Sequence, residues 1–355
     1  MSIKIASDID KISQNVNNHF RNDSFSNFCH IEWKGVYMPV RICGIGKGIP
    51  AKKVMNDELP ASLETSDEWI KSHTGISSRY IVDENGSSAT LGMSACKAAL
   101  KNAEEKGFCV KTEDIDLIIC ATAAAEYWSF PSNACLIQKE LKASNAAAFD
   151  ISAACSGFIY GLQVARSLMQ QMNYRYALVV GAEALSKISD WNDRSTCVLF
   201  GDGAGAAVLK NDEKFEESFG SFVLGADGNG CESLYLGKED HHIHMDGRAV
   251  YSFAVGKMAE IIETLLKKEN KTIDDIDYVV CHQANERIIQ AAAKRLNYPM
   301  EKFVLNIADY GNTSSSSIPI ALVDMEKDGR LVSGKKLLLA GFGAGLTWGG
   351  CFLKW

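Results

Sequence analysis

Cys155 is the residue of this chain best placed to act as a nucleophile. It follows an apolar run over 146–151 with strand character, and it precedes a helical pattern of Phe158, Ile159, Leu162, Val164, Ala165 and Leu168. A thiol at the junction of a buried strand and the first turn of a helix meets unpaired backbone N–H groups and the positive end of the helix dipole. Both are expected to favour the thiolate. Such a group attacks an electrophilic carbonyl and carries a covalent intermediate. His282 follows the apolar run 276–281, and Asn312 sits in Gly311-Asn312-Thr313-Ser314. Taken singly, a histidine after a strand or an asparagine in a Gly-Asn-Thr turn is an ordinary structural residue.

An internal repeat changes that weighting. Asp114-Ile115-Asp116-Leu117-Ile118-Ile119-Cys120 reads like Asp275-Ile276-Asp277-Tyr278-Val279-Val280-Cys281, 161 positions later. Ala177-Leu178-Val179-Val180-Gly181 resembles Leu337-Leu338-Leu339-Ala340-Gly341, 160 positions later. The strand before Cys155 has a counterpart in Val304-Leu305-Asn306-Ile307, which leads to Asn312 at an offset of 157. Three ordered matches at nearly one offset predict two halves of one topology, 40–212 and 213–355. His282 then corresponds to Ala121, and Asn312 to the Cys155 junction. All three side chains fall at equivalent strand ends, where α/β proteins place their chemistry.

The elements that must position them are legible as alternation. Strands are expected at 40–44, 115–121, 146–151, 176–181, 197–199, 204–209, 276–281, 303–307 and 336–341, with amphipathic helices at 88–105, 157–171, 254–268 and 285–296. This predicts an α/β protein with buried, largely parallel strands covered by helices. Residues 1–39 read as a separate polar extension in which Ile5, Ile9, Ile12, Val16 and Phe20 would line one face of a short helix. The extension carries acidic residues and no apolar leader, unlike a transit or secretory peptide.

Composition excludes several classes. The 355 residues are 46% hydrophobic, enough for a sizeable core. A net charge of -7 without a basic block argues against nucleic acid as a partner. No apolar run reaches the roughly 18 residues of a membrane span. Eleven scattered cysteines without a CxxC pair fit a reduced, cytoplasmic compartment rather than a disulfide framework. His241-His242-Ile243-His244 lacks the partner spacing of a metal site, so no metal is expected. Gly44-Ile45-Gly46-Lys47-Gly48 reads as a strand exit turn, not a dinucleotide fingerprint.

Cys155, His282-Gln283-Ala284-Asn285 and Gly311-Asn312-Thr313-Ser314 resemble the three signatures of β-ketoacyl-acyl-carrier-protein synthase III, among the thiolase-like condensing enzymes. The resemblance extends over 40–355. It includes Thr65-Ser66-Asp67-Glu68-Trp69-Ile70, Thr74-Gly75-Ile76, Phe200-Gly201-Asp202-Gly203-Ala204-Gly205 and Phe342-Gly343-Ala344-Gly345-Leu346-Thr347-Trp348-Gly349. It implies a thiolase-like fold of two duplicated halves layered αβαβα. It also implies a reaction: Cys155 takes an acyl group from acyl-CoA, malonyl-acyl-carrier protein loses CO2, and the enolate attacks the acyl-cysteine. His282 and Asn312 would donate to the enolate oxygen, and the backbone N–H groups of Cys155 and Ala344 would form the oxyanion hole. Phe342 stands where thiolases carry a second cysteine, and Asn312 where elongating synthases carry a second histidine.

The same resemblance assigns the substrate channel residue by residue. Trp69 and Arg194 match the pair that sandwiches the CoA adenine. Asn285, Arg287 and Gly247 match other CoA contacts, and Phe130 and Phe342 match the acyl pocket, with Phe130 favouring a short starter such as acetyl. Two positions depart: His73 replaces an arginine before Thr-Gly-Ile, and Ser252 replaces a lysine of the following half's first helix. Arg248 and Lys257 are the nearby cations available to compensate. The loop Glu126-Tyr127-Trp128-Ser129 is one residue longer than usual. The family implies acyl-CoA and malonyl-acyl-carrier protein as substrates, no permanently bound cofactor, an acyl-carrier protein as partner and a homodimer. Two alternatives remain at this point: a condensing enzyme or acyltransferase of a specialised, polyketide- or quinolone-like pathway, and a catalytically silent subunit.

Overall fold

A computed structural model describes residues 38–355, which form one compact unit; the helix expected near the N-terminus lies outside the described residues. The chain builds two larger sheets. The first contains β1 (Val40–Gly48), β4 (Leu117–Ala121), β5 (Ala147–Ile151), β6 (Tyr176–Glu183) and β7 (Gly203–Asn211), in the order β1-β7-β6-β4-β5. A small ribbon pairs β2 (Lys52–Met55) with β3 (Ser78–Ile81). The second large sheet contains β8 (Phe219–Ala226), β11 (Tyr278–Cys281), β12 (Lys336–Gly343) and β13 (Thr347–Lys354), in the order β11-β12-β13-β8. The hairpin β9 (Leu234–Leu236) and β10 (Ile243–Met245) lies between β8 and the next helix in sequence.

Strand alternation sorts the side chains into layers. Leu117 and Ile119 of β4 face a central core, while Ile118 and Cys120 face outward into a second one. The helices are α1 (Asp67–Thr74), α2 (Ser88–Glu105), α3 (Asn133–Leu141), α4 (Gly157–Met172), α5 (Gly247–Lys268), α6 (Glu286–Leu296), α7 (Ile307–Tyr310) and α8 (Ser317–Lys327). The central core takes Phe158, Ile159 and Leu162 from α4 and Ile318, Leu322 and Met325 from α8, with strand residues of both sheets on either side. Residues of α2 cover the outer face of the first sheet, and α5 and α6 cover that of the second. The layers are therefore αβαβα, as the sequence resemblance implied.

The repeat is visible strand by strand, since β6 pairs with β4 in parallel as β12 pairs with β11. Sequence reading differs from the structure in several respects. The strands are not largely parallel: β1-β7, β6-β7, β12-β13 and β8-β13 pair antiparallel and only β4-β5, β4-β6 and β11-β12 are parallel, since a link as short as residues 344–346 between β12 and β13 admits only an antiparallel hairpin. Residues 303–307 give only an isolated bridge, Phe303 with Val279, before the chain turns into α7. Residues 197–199 form a turn rather than a strand. Strands β2, β3, β8, β9, β10 and β13 lie outside the expected set; in β8 and β13, Gly220, Gly225, Gly349 and Gly350 interrupt the apolar pattern.

The first sheet meets α2 at unusually close range. A Cβ on Gly46 would overlap the backbone of Ala95 and Ala99, so only hydrogen fits between strand and helix. We expect Gly46→Ala to destabilise the protein by about 1–3 kcal/mol through overpacking. Urea denaturation checks this; an unchanged midpoint would contradict the close packing.

Candidate active site

Cys155 sits in a single tight turn, Ala154–Ser156, between β5 and α4. Ala154 adopts φ +44°, a left-handed conformation, which brings the thiol across to the second half. The turn is tied down by polar side chains. Ser156 Oγ lies 2.8 Å from the Ala153 carbonyl oxygen and 2.9 Å from Thr347 Oγ1, and Thr347 Oγ1 lies 3.0 Å from the Ala344 carbonyl oxygen. These contacts fix the Cys155 turn against the glycine-rich turn 343–346. A Cβ on Gly343 would lie 2.6 Å from the Cys155 nitrogen, so no larger residue fits there.

The second half carries the same turn. Ser314 has φ +50°, Ser316 Oγ bonds the Thr313 carbonyl oxygen at 2.8 Å, and α8 follows at Ser317. The structural counterpart of Cys155 is thus Ser315, 160 positions on, not Asn312 as the offset of 157 indicated. Ser315 Oγ is 2.6 Å from Glu183 Oε1, and Glu183 ends β6 where β12 ends in Gly343. Glu183 Oε2 also accepts from the backbone N–H groups of Ala123 at 2.9 Å and Ala124 at 3.2 Å. Burial raises the pKa of this carboxyl group.

His282, 1% exposed, follows β11, and its Nδ1 is 2.8 Å from Ser317 Oγ. Its Nε2 is buried and has no hydrogen-bond partner among the described residues. Asn312 is held through its backbone by Leu199 and Gly201, and its Oδ1 accepts from the Ser314 N–H at 2.8 Å. That bond assigns the amide and leaves Nδ2 as the free donor. Cys155, His282 and Asn312 line one cavity of about 180 Å³, together with Phe342, Asn285 and Gly247.

A second, apolar cavity of about 90 Å³ opens on the other side of Cys155. Leu185, Ile188, Phe200, Leu236 and Ile243 line it, with Ala344 and Ser314 near the thiol. Phe342 stands at the His282 side, with ring centroids 5.4 Å apart, and lines the larger cavity rather than this one. Phe130 lines neither cavity and is 82% exposed.

Burial governs the charge states. It pushes the Cys155 thiol from 9.0 to about 12; the Ser314 hydroxyl pulls it down and the Glu183 charge pushes it further up. Such a rise corresponds to roughly 4 kcal/mol, against about 0.3–1 kcal/mol for a typical helix terminus. The expectation of a resting thiolate is therefore corrected: desolvation outweighs the dipole. Burial also lowers His282 from 6.5 to about 3, so the imidazole is neutral.

The channel residues lie toward the rim. Trp69 is 42% exposed and His73 stacks on it, ring centroids 4.3 Å apart. Arg194 Nη1 donates to the Glu64 carbonyl at 3.0 Å, close in sequence to Trp69. Asn285 caps α6 by accepting from the Arg287 N–H at 2.8 Å, and its Nδ2 donates to the His73 carbonyl at 3.1 Å. Lys257 is occupied by Glu260 and by the Trp348 ring, 4.1 Å away, which leaves Arg248 as the exposed cation of that segment. His244 pairs with Asp240, and the His241 ring lies tilted against Trp128, centroids 4.3 Å apart. Sequence reading missed Glu183, Ser314 and Ser317. The run of four serines at 314–317, followed at once by an apolar helix, is the signal that marks the last two.

A buried, protonated thiol has a definite pH signature. The rate of Cys155 alkylation should climb close to tenfold per pH unit from pH 7 to 9.5, because the thiolate fraction keeps rising until about pH 12. A plateau below pH 8.5 would contradict the desolvated thiol.

Comparison with known proteins agrees with this arrangement. Residues 149–228 match the family model for 3-oxoacyl-[acyl-carrier-protein] synthase III, and residues 266–355 match the model for its C-terminal part. The chain is 47% identical over 320 residues to β-ketoacyl-[acyl-carrier-protein] synthase III 1 of Bacillus cereus, covering 90% of this chain and 99% of the relative. It is 45% identical over 329 residues to the Clostridium beijerinckii synthase III, covering 89% and 99%. The crystal structure of the Aquifex aeolicus synthase III superposes with a TM-score of 0.84 at 42% identity, covering 89% of this chain and all of that one. The priming β-ketosynthase of the R1128 polyketide pathway gives 0.83 at 34% identity, covering 90% and 96%. With such identity across the full length of its relatives, and with a thiolase-like fold, the chain belongs to the β-ketoacyl-[acyl-carrier-protein] synthase III family.

Proposed function

We propose that this enzyme is an acyltransferase that starts fatty-acid synthesis. It condenses a short acyl-CoA with malonyl-acyl-carrier protein and yields β-ketoacyl-acyl-carrier protein, CoA and CO2. The observation that carries the reading is the single cavity in which a half-buried cysteine meets two neutral amide- and imidazole-type donors. Acyl transfer to Cys155 replaces a thiol proton by an acyl group, so the charge that burial penalises disappears from the resting intermediate. The proton leaves with CoA. Malonyl thioester then loses CO2, and negative charge develops on its carbonyl oxygen. His282 and Asn312 are the donors for that oxygen, and a neutral donor suits it because no proton need be given up. The backbone N–H groups of Cys155 and Ala344 serve the tetrahedral intermediates.

The apolar cavity beside Cys155 is the acyl site in this reading. At about 90 Å³ it is smaller than the roughly 150 Å³ apolar cavities that hold benzene, which favours a starter of a few carbons. Trp69, Arg194, Asn285, Arg287 and Gly247 would guide CoA and the carrier arm, with Arg248 supplying charge that His73 and Ser252 do not. The specialised-pathway reading is less favoured, since identity to the polyketide priming enzyme, 34%, is lower than the 47% to the Bacillus cereus synthase III. The intact set of Cys155, His282 and Asn312 argues against a silent subunit.

We also infer a homodimer of chains, each built from the duplicated halves 40–212 and 213–355. Strand β5 is a sheet edge with Phe149 exposed, and Trp128 and Phe130 project beside it at 67% and 82% exposure. Edge strands with apolar neighbours are templates for pairing. A groove of about 440 Å³ borders this face and shares Ile188 and Leu236 with the acyl cavity, so an aromatic ring from a second copy would close that cavity. A cytoplasmic location accords with the thioester substrates of this reading, and among the described residues no helix is long and apolar enough to cross a membrane.

Two outcomes are expected. His282→Ala or Asn312→Ala should slow malonyl decarboxylation by about 10²–10³-fold, with a much smaller effect on acyl transfer to Cys155; equal losses in both steps would refute the division of roles. Phe130→Ala should raise kcat/KM for donors longer by one or two methylenes at least tenfold, the scale of roughly 1–3 kcal/mol per methylene. An unchanged donor profile would remove Phe130 from the acyl site.

A further inference from the structure

The repeat isolates one pair of residues that exists only in the second half. His282 stands where the first half has Ala121, and Ser317 stands where it has Gly157, offsets of 161 and 160. In the first half these positions are packed shut: a Cβ on Gly157 would lie 2.8 Å from the Ala121 Cβ. In the second half the same space holds an imidazole and a hydroxyl 2.8 Å apart. Ser317 is 2% exposed and opens α8, yet its side chain does not cap the helix.

The direction of that hydrogen bond follows from counting hydrogens. Ser317 Oγ accepts from the Gln283 backbone N–H at 3.3 Å, and an N–H can only donate. The hydroxyl has one hydrogen of its own. Among the described residues its acceptor is His282 Nδ1. Nδ1 therefore offers a lone pair, and the single proton of the neutral ring resides on Nε2. That nitrogen is the atom without a protein partner, on a ring that lines the cavity with Cys155 and Asn312.

We propose that Ser317 is a positioning residue that holds His282 in the Nε2–H tautomer, so that the ring presents a hydrogen-bond donor to the enolate oxygen. The donor role rests on the reaction proposed above; the tautomer does not. A ring flipped or re-tautomerised would present a lone pair to a developing oxyanion, which is repulsive. The neighbour that binds the distal ring nitrogen commonly sets the tautomer of a functional histidine.

The test is nitrogen NMR of the full-length enzyme labelled with ¹⁵N-histidine, with the His282→Ala spectrum assigning its signal among the seven histidines. Wild type should show a protonated Nε2 and an unprotonated Nδ1 at residue 282. Ser317→Ala should give mixed tautomers and slow malonyl decarboxylation by roughly 10–100-fold, far more than it slows acyl transfer to Cys155. Ser317→Thr, which keeps the hydroxyl, should recover both. A protonated Nδ1 at residue 282 in wild type would overturn the proposal, and that reading needs only the His282→Ala assignment, not Ser317→Ala, to fold. So would a Ser317→Ala enzyme that keeps the Nε2–H signal and the wild-type decarboxylation rate, or one that loses both half-reactions equally. Should His282→Ala decarboxylate normally, the proposed reaction falls and takes the donor role with it.

Discussion

Desolvation at the seam between the two halves is the constraint on which the site depends. The ends of β4, β6, β11 and β12 converge there with the starts of α4 and α8, and the polar groups they carry are almost all buried. Water is replaced by fixed partners: Ser315 and backbone N–H groups for Glu183, Ser317 for His282, Ser314 for Asn312. The same burial keeps the imidazole neutral and the thiol protonated. A site of this kind stabilises charge only where donors have been aimed beforehand, and Asn312 Nδ2 and His282 Nε2 are the groups left over for that purpose.

Duplication explains how one fold makes two different floors for the site. Each half ends a strand, makes a tight turn through a left-handed residue and starts a central helix. In the first half the turn carries Cys155 faced by Gly343, whose lack of a side chain lets the two turns meet at close range. In the second half it carries Ser315 faced by Glu183, and their hydrogen bond fills the equivalent space. The position equivalent to Cys155 is thereby a brace, held by the hydrogen bond between Ser315 and Glu183.

Much of this was legible in the chain. The motif set marks the family, which the relatives show; the 160–161 spacing points to two halves, and the strand–turn–helix signature singles out Cys155. What escaped had physical reasons. Asn312 was matched to Cys155 because the counterpart of β5 is only a single bridge at Phe303, and the connection to the next turn differs in length, which no hydrophobic pattern records. The protonated state of Cys155 escaped because a helix start is visible in sequence while burial by distant segments is not. Phe130 and Phe342 drew the same label from motif position, yet the fold separates them, one on an exposed loop and the other beside His282.

The central claim is that Cys155 carries the acyl group between the two substrates. Intact-protein mass spectrometry after mixing with acetyl-CoA tests it most directly, beside a Cys155→Ala control. The account predicts a gain of one acetyl group on the wild-type chain, lost when malonyl-acyl-carrier protein is added, and no gain on the control. No adduct from any short acyl-CoA, or an adduct of equal yield on the control, would contradict it.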